Sequence, residues 1–272
     1  MIGIGRSVHE RGRGERGDPL RRRGGGRPLG LVHRSGRLAD VSELPDAAAE
    51  PRQRWRLVVA RDLTAPDVTQ REVAAAWTTA LGSAGLPLVE AGAGRGRSRL
   101  SFGAPLPVGM SAERDLIDIV LTETWPVWRV RDALAGHLPD GWRLVDAFDV
   151  WLGGPPLAGR VVAADYRIEL AGAPDAAALA AVAADLMHAR SIARERVRGG
   201  STVTYDLRPL VATITIRPGP PVTVRTRTRF DPELGSGRPE EIVGALSDRS
   251  GSTLAIALIV RERLLVAEDL DA

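Results

Sequence analysis

Two apolar rhythms alternate along this chain, one of period two and one of period three to four, and their succession lays out its elements. From Trp55 to Arg61, Trp55, Leu57 and Val59 interleave with Arg56, Val58 and Ala60, as in a strand. The period then changes. Thr69 and Glu72 form a capping-box pair ahead of Val73, Trp77, Ala80, Leu81 and Ala84, and Gly85 with Pro87 ends that helix. Leu100 and Phe102 share one face of a strand, which places the Phe102 ring in the core. Gly103, Pro105, Pro107 and Gly109 interrupt that strand, and a β-rich run resumes from Leu116 to Leu121. A second helix is predicted over Pro126 to His137, with Val127, Val130 and Leu134 on one side, and a fourth strand over Trp142 to Trp151.

The second half repeats this order. Tyr166 to Leu170 reads as a strand and Pro174 to Arg190 as a helix carrying Leu179, Val182 and Leu186 inward. Gly199 and Gly200 turn into a short strand over Thr202 to Tyr205. Val211–Arg217 and Val222–Phe230 alternate strongly about a Pro-Gly-Pro-Pro turn. Pro239, Glu240 and Glu241 open a helix through Leu246, and Leu254 to Val260 closes the series. The fold expected is α+β, with two ferredoxin-like β-α-β-β-α-β units in tandem. They occupy residues 53–152 and 165–272, joined by a linker at 153–164 around Gly153, Gly154, Pro155 and Pro156, behind an Arg/Gly-rich stretch at 1–52 predicted to be disordered.

Composition sharpens the picture chiefly by exclusion. The chain of 272 residues has no cysteine, so disulfides, thiol nucleophiles, Cys-bound zinc and Cys-held iron–sulfur clusters are excluded from it. Its four histidines, His9, His33, His137 and His188, are too scattered for a histidine metal site, so no metal or cofactor is expected. Every basic residue is arginine. Residues 1–54 hold 12 of them against 7 acids, whereas residues 55–272 hold 25 against 27, so the predicted folded part is nearly neutral and not uniformly basic. There is no apolar run of about 18 residues and no apolar segment behind the Arg-rich start, which makes a cytoplasmic, membrane-free location the expectation.

Three features invite a chemical reading. The loop Ala91–Ser98, with Gly92, Gly94 and Gly96 around Arg95 and Arg97 and followed by Arg99, suggests a phosphate contact. It lacks the lysine and the following helix that a phosphate-binding motif needs, and a plain solvent loop is the alternative. Arg225, Arg227 and Arg229 must share one face of their strand, the face not covered by helices. Thr213, Thr215, Arg217, Arg167 and Glu169 are their expected neighbours, and no aromatic side chain interleaves for base stacking. A solvated polar face is therefore preferred to an RNA platform. Asp115 and Asp118 lie three apart on a strand and so turn to opposite faces, which excludes them as a catalytic pair. His137 reads as a capping or packing residue, and no GxSxG motif is present.

The blocks SFGAPLPVGMS (Ser101–Ser111) followed by Asp118, RER (Arg194–Arg196), YDLRP (Tyr205–Pro209) and RPEEIV (Arg238–Val243) occur in order at sensible distances. In them the chain resembles the radical-SAM-associated family of unknown function, whose members are fused to or encoded beside cobalamin-binding radical SAM proteins. The similarity spans about Trp55 to Val266. It implies structural roles for Ser101, Phe102, Gly103, Leu106, Pro107, Gly109, Ser111 and Asp118, and adds Arg194, Arg196, Asp206 and Arg208 to the candidate binding residues. The chain reads APDVTQ and AGAGRGR where the family carries a hydrophobic-Ser-His-Leu-Asp block and a Gly-Phe-Asn-Pro loop. The resemblance implies a non-catalytic accessory protein partnering a radical SAM protein and binding or presenting its substrate, with RNA as a candidate. The tandem order is also similar to that of CRISPR repeat-processing endoribonucleases, which keeps an RNA-processing enzyme as an alternative, although the helix Thr69–Ala84 has no histidine to match theirs. A structural protein–protein adaptor is the third reading.

Overall fold

Leu57 and Val59 of the first strand, β1 (Gln53–Arg61), pack under a helix, and so do Ile117 and Ile119 of β3 (Ser111–Leu121) beside it. That helix, α1 (Gln70–Ser83), begins where the sequence predicts: Thr69 accepts from the Glu72 N–H, and the Glu72 carboxylate accepts from Thr69 N at 2.8 Å. Val73, Trp77 and Leu81 form its buried stripe, joined by Val130 and Leu134 of α2 (Val127–Leu134). Helix α2 stops three residues short of the predicted His137, because Ala135 turns to extended backbone and Gly136 follows at φ 76°. With β2 (Leu100–Phe102) and β4 (Trp142–Val150), the first half pairs in the order β4-β1-β3-β2, every neighbour antiparallel.

These positions come from a computed structural model that describes residues 50–90, 99–198 and 200–270, all within one unit, Asp46–Ala272. The Arg/Gly-rich start and the loop bearing Arg95 and Arg97 lie outside the described residues.

The second half contains β5 (Val161–Leu170), α3 (Ala176–His188), β8 (Val211–Arg217), β9 (Thr223–Asp231), α4 (Pro239–Ser250) and β11 (Ile256–Val266). Its main strands pair β11-β5-β9-β8, again all antiparallel, so each strand occupies the place of its counterpart in the first half. A two-residue strand, β10 (Gly235–Ser236), extends the same edge. Tyr166, Ile168 and Leu170 of β5 meet Leu179, Ala183 and Leu186 of α3 and Ile242, Val243 and Leu246 of α4.

Among the described residues the architecture is mixed α/β, with four helices and one large mixed sheet, order β10-β9-β5-β11-β3-β1-β4. The strands of the two expected domains are continuous in it. Strand β11 runs parallel to β3 over Val260–Arg261 against Ser111–Ala112, so the second core also takes in Val58, Met110, Leu116 and Leu157. Strand β5 starts at Val161, inside the stretch expected as linker, and Leu157–Gly159 forms a short 3-10 helix.

Three further expectations need correction. Strand β3 starts at Ser111 rather than Leu116: Ser-Ala-Glu-Arg-Asp looks too polar for a strand, but it is paired by β1 on one side and by β11 on the other. The segment Ala193–Arg198 (β6) is a strand that the alternating charges of RER concealed, and it pairs only with β7 (Ser201–Asp206) in a separate hairpin. Phe102 is half-buried at the rim of the first core rather than inside it, since β2 is three residues long and lies at the edge.

Candidate functional site

The arginine strand keeps its predicted alternation but not its freedom. Arg225, Arg227 and Arg229 face away from the helices between buried Val224, Thr226 and Thr228. Thr213 and Thr215 of β8 lie opposite Arg227 and Arg225, with Asp165 and Arg167 of β5 on the other side. Arg227 makes a two-pronged contact to Asp165 at 2.7 and 3.0 Å, and Arg263 donates to the same carboxylate at 2.9 Å. Burial opposes ionisation of Asp165, but these bonds outweigh it and hold its pKa below the ordinary aspartate range. Arg225 pairs with Glu262 at 3.2 Å, Arg167 with Glu113 at 3.0 Å, and Arg229 donates to the Pro209 and Val211 carbonyls. This face is a lattice of ion pairs, as the polar-face reading required.

The arginines of the RER and YDLRP blocks meet in one place. Arg194 donates to Glu241 at 2.9 Å and also pairs with Asp248, so it crosses α4 at Gly244, where a Cβ would stand 2.4 Å from its Nη2. Arg196 lies over the Tyr205 ring at 4.6 Å. Asp206 accepts from the Ile192 and Arg208 N–H groups, and Arg208 donates to the Met187 and Val211 carbonyls. Arg194 thus ties β6 to α4, Arg208 ties the segment after β7 to α3, and Arg196 and Asp206 bond within the hairpin and its flanks. Arg99 is exposed, its backbone N–H bonded to Val89 O at 2.7 Å.

The SFGAPLPVGMS block joins the two halves. At Gly103 a Cβ would approach Leu264 to 2.9 Å and Val161 to 3.3 Å, so the bare glycine lets the chain leave β2 close against the second half. Leu106 packs on the second core, exposed Pro107 leads to Gly109 in a positive-φ turn, and Ser111 pairs with Val260. The carbonyls of Ala104 and Pro105 accept from Arg261, which also grips Asp115 at 2.7 and 2.5 Å. Burial alone would lower the pKa of Arg261, but Asp115 overcomes it and raises it further above the ordinary arginine value. Asp118, only 2% exposed, lies on the opposite face and accepts from both Arg54 and Arg56. Arg54 reaches on to the Gly154 and Pro155 carbonyls, binding that segment down over β1.

Between that segment and β11 lies a cleft of about 630 Å³ whose floor is Val58, Leu116 and Leu264. Arg56, Arg114, Arg160 and Arg263 stand around it, with Phe148, Trp151, Glu268 and Asp269. Trp151 follows β4 directly and is 78% exposed, with its indole set against Gly153, where a Cβ would be 3.0 Å from the ring. Phe148 is 43% exposed.

Residues 54–239 match the model of a family described as an uncharacterized protein conserved in bacteria (DUF2344). The chain belongs to that family. No curated protein matches the chain.

In this DUF2344 protein the cleft combines four arginines, two acids and two exposed aromatic side chains. Its acids are engaged: Glu268 is held below the ordinary glutamate range by a backbone N–H and then by its ion pair with Arg160, and Asp269 accepts from Val266 N at 2.8 Å. Four arginines, Arg56, Arg114, Arg160 and Arg263, line it against these two acids. Arginine beside exposed aromatic faces suits a planar, anionic ligand. Sequence reasoning found neither Trp151 nor Phe148 as site residues, because Trp151 closes an alternating run and reads as core. The one available signal was its neighbours Gly153 and Gly154, which leave room for a ring.

Proposed function

We propose that this protein is a non-catalytic accessory subunit that holds a substrate, RNA, for a cobalamin-type radical SAM enzyme. The observation that carries the binding half of this reading is the cleft at the seam of the two halves, with surplus arginine charge beside exposed Trp151 and Phe148. The partner half rests on the ordered SFGAPLPVGMS, RER, YDLRP and RPEEIV blocks. With no cysteine in the chain, an iron–sulfur cluster for such chemistry must sit on the partner. The shared strand order of the two halves supports reading each as a ferredoxin-like unit, the second with the β6–β7 hairpin inserted after its first helix.

The test is co-expression of the full chain with the radical SAM protein of its source genome, followed by size-exclusion chromatography and analysis of co-eluting RNA. A stable complex that retains RNA is expected. A complex without RNA would leave a protein adaptor, and absence of a complex at micromolar concentration would reject the accessory role.

A further inference from the structure

We propose that the seam cleft is a subsite for single-stranded RNA, in which the Trp151 indole stacks a base and Arg114 meets a phosphate. This deepens the reading above and rests on its RNA half. Trp151 is the most exposed of the large apolar side chains among the described residues, with one edge of its ring toward Gly153. An indole so exposed costs free energy in water and gains it under a flat partner. Arg114 is exposed on β3 at the same cleft and has no side-chain hydrogen bond or ion pair among the described residues, unlike the arginines of β9. Arg56, Arg160 and Arg263 line the same cleft. A cleft of this size is within the range of small-ligand sites, about 300–1,000 Å³. Unpaired bases are what such a surface can take, since a duplex hides their faces and single strands are held by aromatic stacking along a basic groove.

The two contacts differ in their response to salt, which makes them separable. The probe is a short fluorescein-labelled oligouridylate, titrated by anisotropy with the full chain at several salt concentrations between about 50 and 200 mM. Trp151→Ala should weaken binding by about 5- to 150-fold with the log–log salt slope unchanged, as expected for loss of one stacked base. Trp151→Phe keeps a ring and should retain part of the affinity, which guards against a folding artefact. Arg114→Gln should weaken binding and flatten the slope by about 0.7, the contribution of one phosphate in a single strand. Trp128→Ala, an exposed tryptophan on α2 outside the cleft, should match the wild type. If the wild type binds and both cleft variants bind equally well with equal slopes, RNA is held elsewhere and the subsite is wrong, while RNA binding stands. If the wild type shows no saturable binding, the subsite and the RNA half of the function both fall.

Discussion

Replacing Arg261 by methionine should be among the most damaging single changes in this protein. The guanidinium is 1% exposed and donates four hydrogen bonds, two to Asp115 and one each to the carbonyls of Pro105 and Ala104. Methionine fills much of the same space, so a cavity contributes little. The cost comes from Asp115, itself buried, which would be left without its partner. Removing one member of a buried ion pair costs about 3–5 kcal/mol, and water can replace the lost donor at the two carbonyls, which lie on the partly exposed Ala104–Pro105 segment. We expect about 4 kcal/mol in all, which for a unit of this size lowers the melting temperature by roughly 8–16 °C. Urea unfolding followed by tryptophan fluorescence reports it, since Trp55, Trp77 and Trp125 are buried. The companion experiment removes both charges, Arg261→Met with Asp115→Leu. A buried pair replaced by apolar groups is often neutral or better, so the double variant should recover at least about 2 kcal/mol relative to Arg261→Met alone. A single-variant cost under about 1 kcal/mol, or strictly additive effects in the cycle, would show that this pair does not hold β11 against β3.

Other expectations follow from individual contacts. Gly141 has φ 73°, and a Cβ there would lie 2.5 Å from the backbone N of Ala65, so Gly141→Ala should cost about 3 kcal/mol from backbone strain and overlap together; an unchanged urea midpoint would contradict the close approach. The carboxyl of Asp165 has a folded-state pKa below its unfolded value near 4, so its contribution is present above about pH 4 and disappears as pH falls through the lower folded value. The stability advantage of wild type over Asp165→Asn should therefore be larger at pH 6 than at acid pH, and a pH-independent difference would refute the ion-pair account. Phe102→Ala should cost about 1–2 kcal/mol by urea unfolding, below the roughly 3–5 kcal/mol of a fully buried ring, because the ring sits half-exposed at the rim of its core; a loss above 4 kcal/mol would place it inside.

Local chemistry alone settled much of this protein. The capping box Thr69–Glu72, the stripe Val73–Trp77–Leu81 and the alternation of Arg225, Arg227 and Arg229 each depend on residues a few positions apart, and each appears in the structure as the spacing dictates. The same holds for Asp115 and Asp118 on opposite faces of one strand. Tertiary structure decided what those elements meet. Arg261 and Asp115 are 146 residues apart in the chain, and no local period carries information over that distance. Their pairing joins the two halves in one sheet, draws Ser111–Asp115 into a strand, and makes Asp115 a buried partner. Strand β6 was hidden for a related reason: its RER alternation is polar, and it lies on α4 through Arg194, where a bare glycine makes room. Trp151 marks the same limit from the other side. Apolar character sends a side chain inward by default, but the turn at Gly153 and Gly154 and the grip of Arg54 on the carbonyls of Gly154 and Pro155 shape the cleft beside which it stays exposed.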